Sequence, residues 1–287
     1  MTKDMSNVRL PSPAYRLVAL DLDGTVMGHD LVIPAAVYEA IGEARAAGVY
    51  VTLATGRMFG ATIPFARQLG ITTPLICYQG ALIRDPHTDE VLLATNMPGE
   101  EAAEAVRLLL ERDIFVLAYI DERLHIAERR AELGHYLSLH PEGAEIVVSD
   151  DLAAEVRAAA PTKLLFIAEP PVVTDELIRL QSHFGERLMI TRSHQLYGEL
   201  AAPGIGKGVA LERLATHLGV PREATLAIGD QENDLSMLAW AGLGLAIGNA
   251  TQVVREAADA IVPPVHEAGV AWAIRRYVLG KTSRLSL

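Results

Sequence analysis

The sequence predicts an α/β protein: a doubly wound, Rossmann-like parallel sheet with an inserted α+β domain. Two observations predict this fold class. In the first and last parts of the chain, short apolar runs alternate with helical segments, which is typical of parallel strands joined by helices. Near Ala81 this alternation stops, and short strands, turns and helices follow without it. The predicted domains are residues 1–84 and 193–287 for the core and residues 85–192 for the insertion.

The elements of the core follow from apolar runs and from residues that start or stop helices. The run from Arg16 to Leu20 predicts a buried strand, and Pro34 and Gly48 mark the start and end of the next helix. The other predicted core elements are strands over 49–54, 225–228, 243–247 and 260–262, a strand that ends at 77, and helices over 65–69, 206–218 and 269–278.

The insertion is predicted to mix helices and strands. Residues 85–89 predict a turn between two short strands, as in a hairpin. The other elements predicted here are helices over 100–112, 151–159 and 174–184, strands over 114–120, 124–127 and 163–167, and loops over 140–143 and 169–171.

Composition and charge limit the classes of function. The chain has 287 residues, a net charge of −11, 50% hydrophobic residues and one cysteine, Cys77. The negative charge argues against non-specific nucleic-acid binding and against docking on an anionic membrane, because both need clustered Lys and Arg. No apolar stretch reaches about 18 residues, and residues 1–13 lack an apolar signal region. We therefore expect a cytoplasmic protein, with no obligatory protein partner evident.

Two carboxylates, Asp21 and Asp23, follow the first predicted strand, and Gly24 and Thr25 then turn the chain away. Two acids this close raise each other's pKa unless a cation or a shared proton offsets the charge. The pair suits a divalent metal, with one carboxylate as nucleophile and the other as acid and base. The alternative is a solvated Asp-Gly turn at the end of a strand.

Two further segments supply hydrogen-bond donors. Thr55, Gly56 and Arg57 follow the second predicted strand, and Lys207 opens a predicted helix between two glycines. Thr55 and Lys207 could both donate to a phosphoryl group. Each segment also has a structural alternative: a helix N-cap with an exposed arginine for residues 55–57, and an exposed lysine at a helix start for Lys207.

A second polar group, Asp230, Asn233 and Asp234, follows the predicted strand over 225–228. Its alternative is an acidic segment that caps a helix. In a doubly wound sheet, ligands bind outside the carboxyl ends of the strands, so this group is expected close to Asp21. Several carboxylates in one crevice need a cation, and an all-oxygen set of ligands suits Mg²⁺.

The order of these motifs resembles that of the haloacid dehalogenase-like phosphotransferase superfamily, and the long insertion resembles its Cof-like phosphatase branch. The motifs that carry the resemblance are Asp21-Leu22-Asp23-Gly24-Thr25, Ala54-Thr55-Gly56-Arg57, Gly206-Lys207-Gly208 and Gly229-Asp230-Gln231-Glu232-Asn233-Asp234. The resemblance covers nearly the whole chain and implies that residues 85–192 form an α+β cap domain. One departure is Gln79 before Gly80, where family members often carry Asn-Gly.

The resemblance also implies roles for the acidic residues. Asp21 would be the nucleophile that forms an aspartyl-phosphate. Asp23 would be the general acid and then the general base, and its backbone carbonyl would bind Mg²⁺ beside the Asp21 carboxylate. Asp230 would be a further metal ligand, with Asn233 and Asp234 completing the metal site.

The remaining motif residues would contact the substrate. Thr55 and Lys207 would hold the phosphoryl oxygens, and Gly56, Arg57 and Asn233 would lie against the substrate. The expected function is a Mg²⁺-dependent phosphatase, a phosphoric monoester hydrolase, that acts on a small phosphorylated metabolite, with a sugar phosphate as the expected class. The alternatives are a phosphosugar mutase or another phosphotransferase, and a non-catalytic metabolite-binding protein on the same fold.

Overall fold

The computed structural model of the chain describes residues 14–28, 31–139 and 144–281, so the loop predicted at 140–143 lies outside the described residues. The described chain divides into two compact units. Unit 1 comprises residues 14–54, 66–73 and 211–281, and unit 2 comprises residues 55–65 and 74–210. The domain boundaries predicted after residues 84 and 192 stay predictions.

The regular elements of both units are as follows. The strands are β1 (Leu17–Leu20), β2 (Tyr50–Leu53), β3 (Leu75–Cys77), β4 (Leu82–Arg84), β5 (Val91–Ala94), β6 (Phe115–Ile120), β7 (Arg123–Ile126), β8 (Glu145–Val148), β9 (Lys163–Ile167), β10 (Met189–His194), β11 (Tyr197–Ala201), β12 (Thr225–Gly229), β13 (Leu243–Ile247) and β14 (Ala260–Val262). The helices are α1 (Ala35–Ala46), α2 (Phe59–Gln68), α3 (Gly99–Leu110), α4 (Ala131–Leu139), α5 (Leu152–Ala159), α6 (Pro170–Phe184), α7 (Lys207–His217), α8 (Leu235–Trp240), α9 (Gln252–Ala257) and α10 (Gly269–Ala273).

Unit 1 is built on a parallel five-stranded sheet with the strand order β14-β13-β12-β1-β2. Strand β1 lies inside the sheet, with Leu20 opposite Leu53 of β2 on one side and Ile228 of β12 on the other. All four residues of β1 are fully buried, as expected for a strand covered on both faces. The predicted parallel sheet is confirmed, and the carboxyl ends of β1 and β12 meet at the same edge.

Unit 2 contains a six-stranded sheet with the order β10-β11-β9-β6-β7-β8 and a three-stranded antiparallel sheet with the order β3-β4-β5. In the larger sheet only β7 and β8 pair in parallel. Its apolar side chains pack with those of α3, α5 and α6 in a core that includes Val106, Val156, Phe166 and Phe184. This mixed architecture agrees with the predicted α+β insertion.

Four elements of unit 2 were not predicted from the sequence: helix α4 and strands β8, β10 and β11. Thr191 and Arg192 in β10 are exposed, because β10 is an edge strand. Their polar side chains interrupt the apolar pattern from which strands are predicted. The strand that ends at Cys77 pairs in an antiparallel sheet with β4. Helix α2 begins six residues before its predicted start and contains Pro64.

No helix in the described ranges combines the length and the apolar character that a bilayer crossing needs.

Candidate active site

Three buried carboxylates of unit 1 form a cluster. Asp21 directly follows β1, where its backbone N–H donates to the carbonyl of Ile228 in β12 at 3.0 Å. Asp230 directly follows β12, and Asp234 lies one turn further on. One carboxylate oxygen from each of the three lies within 4.8 Å of the others, and each residue is at most 5% exposed. Carboxylates this close and this buried repel one another, so the cluster is suited to hold a metal ion.

The turn after Asp21 is shaped to admit Asp230. Gly24 adopts the left-handed conformation with φ +87°, and a Cβ there would lie 2.9 Å from Cγ of Asp230. The next residue, Thr25, is buried and donates from Oγ1 to Oδ1 of Asp230 at 3.2 Å. Glycine therefore leaves the room for the Asp230 carboxylate and threonine orients it. Asp23 of the same turn is exposed.

The segment after β12 holds its two aspartates by local hydrogen bonds. Oδ2 of Asp234 accepts from the backbone N–H groups of Asp230 and Gln231, at 2.9 and 3.1 Å. The side chain of Gln231 donates to Oδ2 of Asp230 at 3.1 Å. Gln231 and Asp234 also form a capping box around the 3₁₀ turn Glu232–Asp234. The capping role considered for this segment is thus real, and it holds Asp234 within the cluster, while Asn233 is exposed.

A loop of unit 2, residues 55–57, follows β2 and is held by backbone hydrogen bonds. The backbone N–H of Thr55 donates to Ile76 at 2.9 Å, and the Thr55 carbonyl accepts from Gln79 at 3.0 Å. The Thr55 side chain, 1% exposed, accepts from the backbone N–H of Arg57 at 3.2 Å. Because α2 begins only at Phe59, Thr55 is not its N-cap, and that alternative is wrong.

Arg57 and Gln79 both pack against other residues of unit 2. Arg57 is buried, with its guanidinium 5.2 Å from the centre of the Phe65 ring, so the exposed-arginine alternative is wrong. Gln79 is left-handed, with φ +58°, and a Cβ on Gly56 would lie 2.5 Å from its Nε2. The amide of Gln79 therefore lies against Gly56, which only glycine permits without a shift.

Lys207 is the first residue of α7 and is fully buried. The neighbouring Gly206 lies so close to Gly80 that a Cβ on Gly80, which has φ +99°, would be 2.6 Å from the Gly206 carbonyl carbon. Lysine is almost never fully buried without an anionic partner. The alternative of an exposed lysine at a helix start is therefore wrong.

The chain resembles known proteins in both sequence and structure. A model described as haloacid dehalogenase-like hydrolase matches residues 18–274. This chain belongs to the haloacid dehalogenase-like hydrolases. The predicted family is confirmed, and so is the predicted fold class of an α/β core with an inserted α+β cap.

Relatives among these hydrolases cover nearly the whole chain. Pyridoxal phosphate phosphatase YbhA of Escherichia coli is 32% identical over 270 residues, which cover 86% of this chain and 93% of the relative. Putative phosphatase YxeH of Bacillus subtilis is 30% identical over 93% of this chain and 100% of its own length. A solved haloacid dehalogenase-like hydrolase from Bacteroides thetaiotaomicron has a TM-score of 0.83 and 27% identity, and covers 91% of this chain and 99% of its own. At the level of the family, the predicted enzyme class of phosphoric monoester hydrolase is confirmed.

Within this hydrolase, the structure brings together three of the predicted metal-site residues, Asp21, Asp230 and Asp234. It also reveals Asn249, which the sequence analysis missed. Asn249 follows β13, donates from Nδ2 to the Gly24 carbonyl at 2.7 Å, and accepts at Oδ1 from the Val265 N–H at 2.9 Å. The sequence signal that could have indicated Asn249 was its position two residues after the predicted strand over 243–247.

Proposed function

We propose that the protein is a Mg²⁺-dependent phosphatase that hydrolyses a small phosphorylated metabolite, with a sugar phosphate as the substrate class. The observation that carries this proposal is the buried cluster of Asp21, Asp230 and Asp234, whose ligand atoms lie within 4.8 Å. All of these ligands are oxygens, which Mg²⁺ prefers. When bound, Mg²⁺ would neutralise charge on the transferring phosphoryl group. The cytoplasmic location predicted from the sequence is kept as part of this proposal.

The chemistry is proposed to run in two steps on the two aspartates of the first turn. A carboxylate oxygen of Asp21 attacks phosphorus, the phosphorus–oxygen ester bond breaks, and the carboxyl proton of Asp23 passes to the leaving alcohol. Asp23, now ionised, takes a proton from water as the water oxygen attacks the aspartyl-phosphate. Inorganic phosphate leaves and the Asp21 carboxylate is restored. The exposure of Asp23 supports this role, because a leaving alcohol and water can both reach its carboxyl group.

The residues proposed to bind the phosphoryl group are Thr55 and Lys207. The fully buried ammonium of Lys207 supports this role, because a dianionic ester offers it a strong counter-charge. The hydroxyl oxygen of Thr55 accepts from the Arg57 N–H, so the hydroxyl proton remains available to donate to a phosphoryl oxygen. Gly56, Arg57 and Asn233 are proposed as further substrate contacts.

Phosphate release with a matched pair of variants tests the proposal. Purified protein with Mg²⁺ is assayed on sugar phosphates, nucleotides and phosphorylated cofactors, including pyridoxal phosphate, on which a named relative acts. We expect release from at least one sugar phosphate, abolished by Asp21→Asn because an amide is a poor nucleophile. Asp175→Asn, an exposed position on α6, is the control and should retain activity.

The same screen separates the alternatives. Release from cofactor esters but not from sugar phosphates would keep the phosphatase and reject the sugar class. An isomerised sugar phosphate without free phosphate would indicate a phosphosugar mutase. No turnover of any ester, together with no effect of Asp21→Asn, would favour a non-catalytic metabolite-binding protein.

A further inference from the structure

The three carbonyl groups of the loop 55–57 are each held by a different donor. The backbone N–H of Gln79 donates to the Thr55 carbonyl and that of Tyr78 to the Arg57 carbonyl, both at 3.0 Å. The middle carbonyl, that of Gly56, accepts from Nζ of Lys163 at 3.3 Å. Lys163, the first residue of β9, thus holds the Gly56 carbonyl with its side chain. The other two carbonyls of the loop are held by the backbone N–H groups of residues 78 and 79.

The ammonium of Lys163 contacts three groups inside unit 2. Its Nζ lies 3.1 Å from Oε1 of Glu199, 3.3 Å from the Gly56 carbonyl and 4.7 Å from the centre of the Tyr119 ring. Lys163 and Glu199 are 5% and 7% exposed. A carboxylate and a carbonyl lie within hydrogen-bond distance of the ammonium, and an aromatic face adds a cation–π contact. These three contacts hold Lys163 within unit 2, so it is suited to fix the loop.

The peptide unit that Lys163 holds leads directly to the Thr55 hydroxyl. The Gly56 carbonyl and the Arg57 N–H belong to the same planar amide. That N–H donates to Oγ1 of Thr55 at 3.2 Å. An ammonium on the carbonyl polarises the amide and strengthens the bond that its N–H makes, because hydrogen bonds in a chain reinforce one another. The hydroxyl oxygen is then occupied as an acceptor, and its proton points elsewhere.

We propose that Lys163 is a positioning residue for the Thr55 hydroxyl, acting through the peptide unit between Gly56 and Arg57. It rests on the proposed function in one respect, since the proton of Thr55 is taken to donate to the phosphoryl group. Glu199 is the counter-charge of the buried ammonium. A residue of the inserted sheet thereby sets the orientation of a phosphoryl-binding side chain.

The variants are chosen so that folding and positioning can be separated. Lys163→Met alone leaves Glu199 as a buried, unpaired charge and can fail to fold, so the main variant is Lys163→Met with Glu199→Gln. Glu199→Gln alone is its matched control, because the amide oxygen still accepts from Lys163 while the bond to Gly56 remains. Arg179→Met is a second control: it removes one cation from buried Glu176 of the same unit and touches no residue of the loop.

Two readouts test the proposal, and the first needs no substrate. Amide-resolved hydrogen exchange by NMR should show the Arg57 amide exchanging at least about fivefold faster in the double variant than in Glu199→Gln, because one charge-assisted bond is lost. The Thr55 amide, bonded to Ile76, is the internal reference and should not change. In phosphate release, kcat should fall about tenfold with KM changed less than about twofold, since a bond made in the transition state is affected. With Thr55→Val already present, removal of Lys163 should lower kcat no further.

The other outcomes either refute the positioning role of Lys163 or separate it from the proposed phosphatase function. Equal exchange of the Arg57 amide in the double variant and in Glu199→Gln would refute it. So would a rise in KM for a single ester with unchanged exchange, because Lys163 would then contact the leaving group. If wild-type protein releases no phosphate, the proposed function fails, and faster Arg57 exchange would still uphold the positioning of Thr55. A lower kcat in Arg179→Met as well would show a general effect of weakening the unit.

Discussion

Replacement of Gly24 by alanine should weaken metal binding, because the added methyl group would displace the Asp230 carboxylate. Position 24 has φ +87°, and a Cβ there would lie 2.9 Å from Cγ of Asp230. Two carbon atoms in ordinary contact are about 3.5–4.0 Å apart, so the Asp230 carboxylate would have to move by about 0.5–1 Å. Displacements of this size at a functional group cost about 10- to 100-fold in affinity or rate. We therefore expect Gly24→Ala to raise the Mg²⁺ concentration for half-maximal activity about 10- to 100-fold.

Gly48 provides the matched control for this prediction. It has φ +81°, almost the same backbone conformation, but a Cβ there meets nothing within 4 Å. Alanine in the left-handed conformation costs about 1–2 kcal/mol at either position. At roughly 2–4 °C for each kcal/mol, both variants should melt about 2–8 °C below wild type.

The assay combines thermal melts with Mg²⁺ titration, followed by phosphate release and by calorimetry without substrate. Only Gly24→Ala should require more Mg²⁺, because only there does the added carbon reach Asp230. If Gly24→Ala and Gly48→Ala had the same Mg²⁺ requirement, the steric argument would be refuted. A wild-type stability in Gly24→Ala would contradict the backbone argument instead.

Three further predictions concern buried or paired groups. Lys207→Met should lower kcat about 100-fold or more in the phosphate-release assay, because the fully buried cation proposed to bind the phosphoryl group is lost; a rate within twofold of wild type would contradict the role. Burial raises the pKa of the Cys77 thiol to about 12, so native protein at pH 8 should not react with a disulfide reagent, whereas protein in guanidinium should react with one equivalent. The pKa of Glu43 is lowered by its bonds to Lys281 and Arg275, so its ionised form stabilises the fold above the ordinary value of 4.5, and this contribution is lost as the pH falls through the lower folded value. Glu43→Gln should therefore lower the free energy of unfolding by about 0.5 kcal/mol at pH 7 and by less at about pH 3, as measured by urea titration at both pH values.

The carboxylate cluster could be predicted from the sequence because of a rule of topology. Asp21 and Asp230 each follow an apolar run, and parallel strands that neighbour each other end at the same edge of the sheet. To predict the cluster, the sequence had to indicate only that β1 and β12 are parallel and neighbouring strands. Asp234 follows from Asp230 by its local capping geometry.

Burial could not be predicted for single polar residues. Lys207, between two glycines, has the local sequence of an exposed helix start, and its environment comes from residues far along the chain. Lys163 and Glu199 are a stronger case, since each stands in a strand and neither belongs to a motif. Their ion pair depends on the register of β9 and β11, in which Lys163 lies opposite Ala201. Strand β11 itself was not predicted, so no pattern in the sequence could join them.

The strand order of unit 1 fixes when the carboxylate cluster can form during synthesis. Strand β1 has only β2 as a neighbour until β12 is made, and Thr25 and Asp230, which share a hydrogen bond, are 205 residues apart in sequence. At about 5–20 residues per second, a ribosome needs about 10–40 s to cover that distance. Every strand of the inserted six-stranded sheet emerges in this interval. The proposed nucleophile Asp21 is therefore synthesised well before Asp230 and Asp234, so a nascent chain holds no assembled metal site until β12 and the segment after it have emerged.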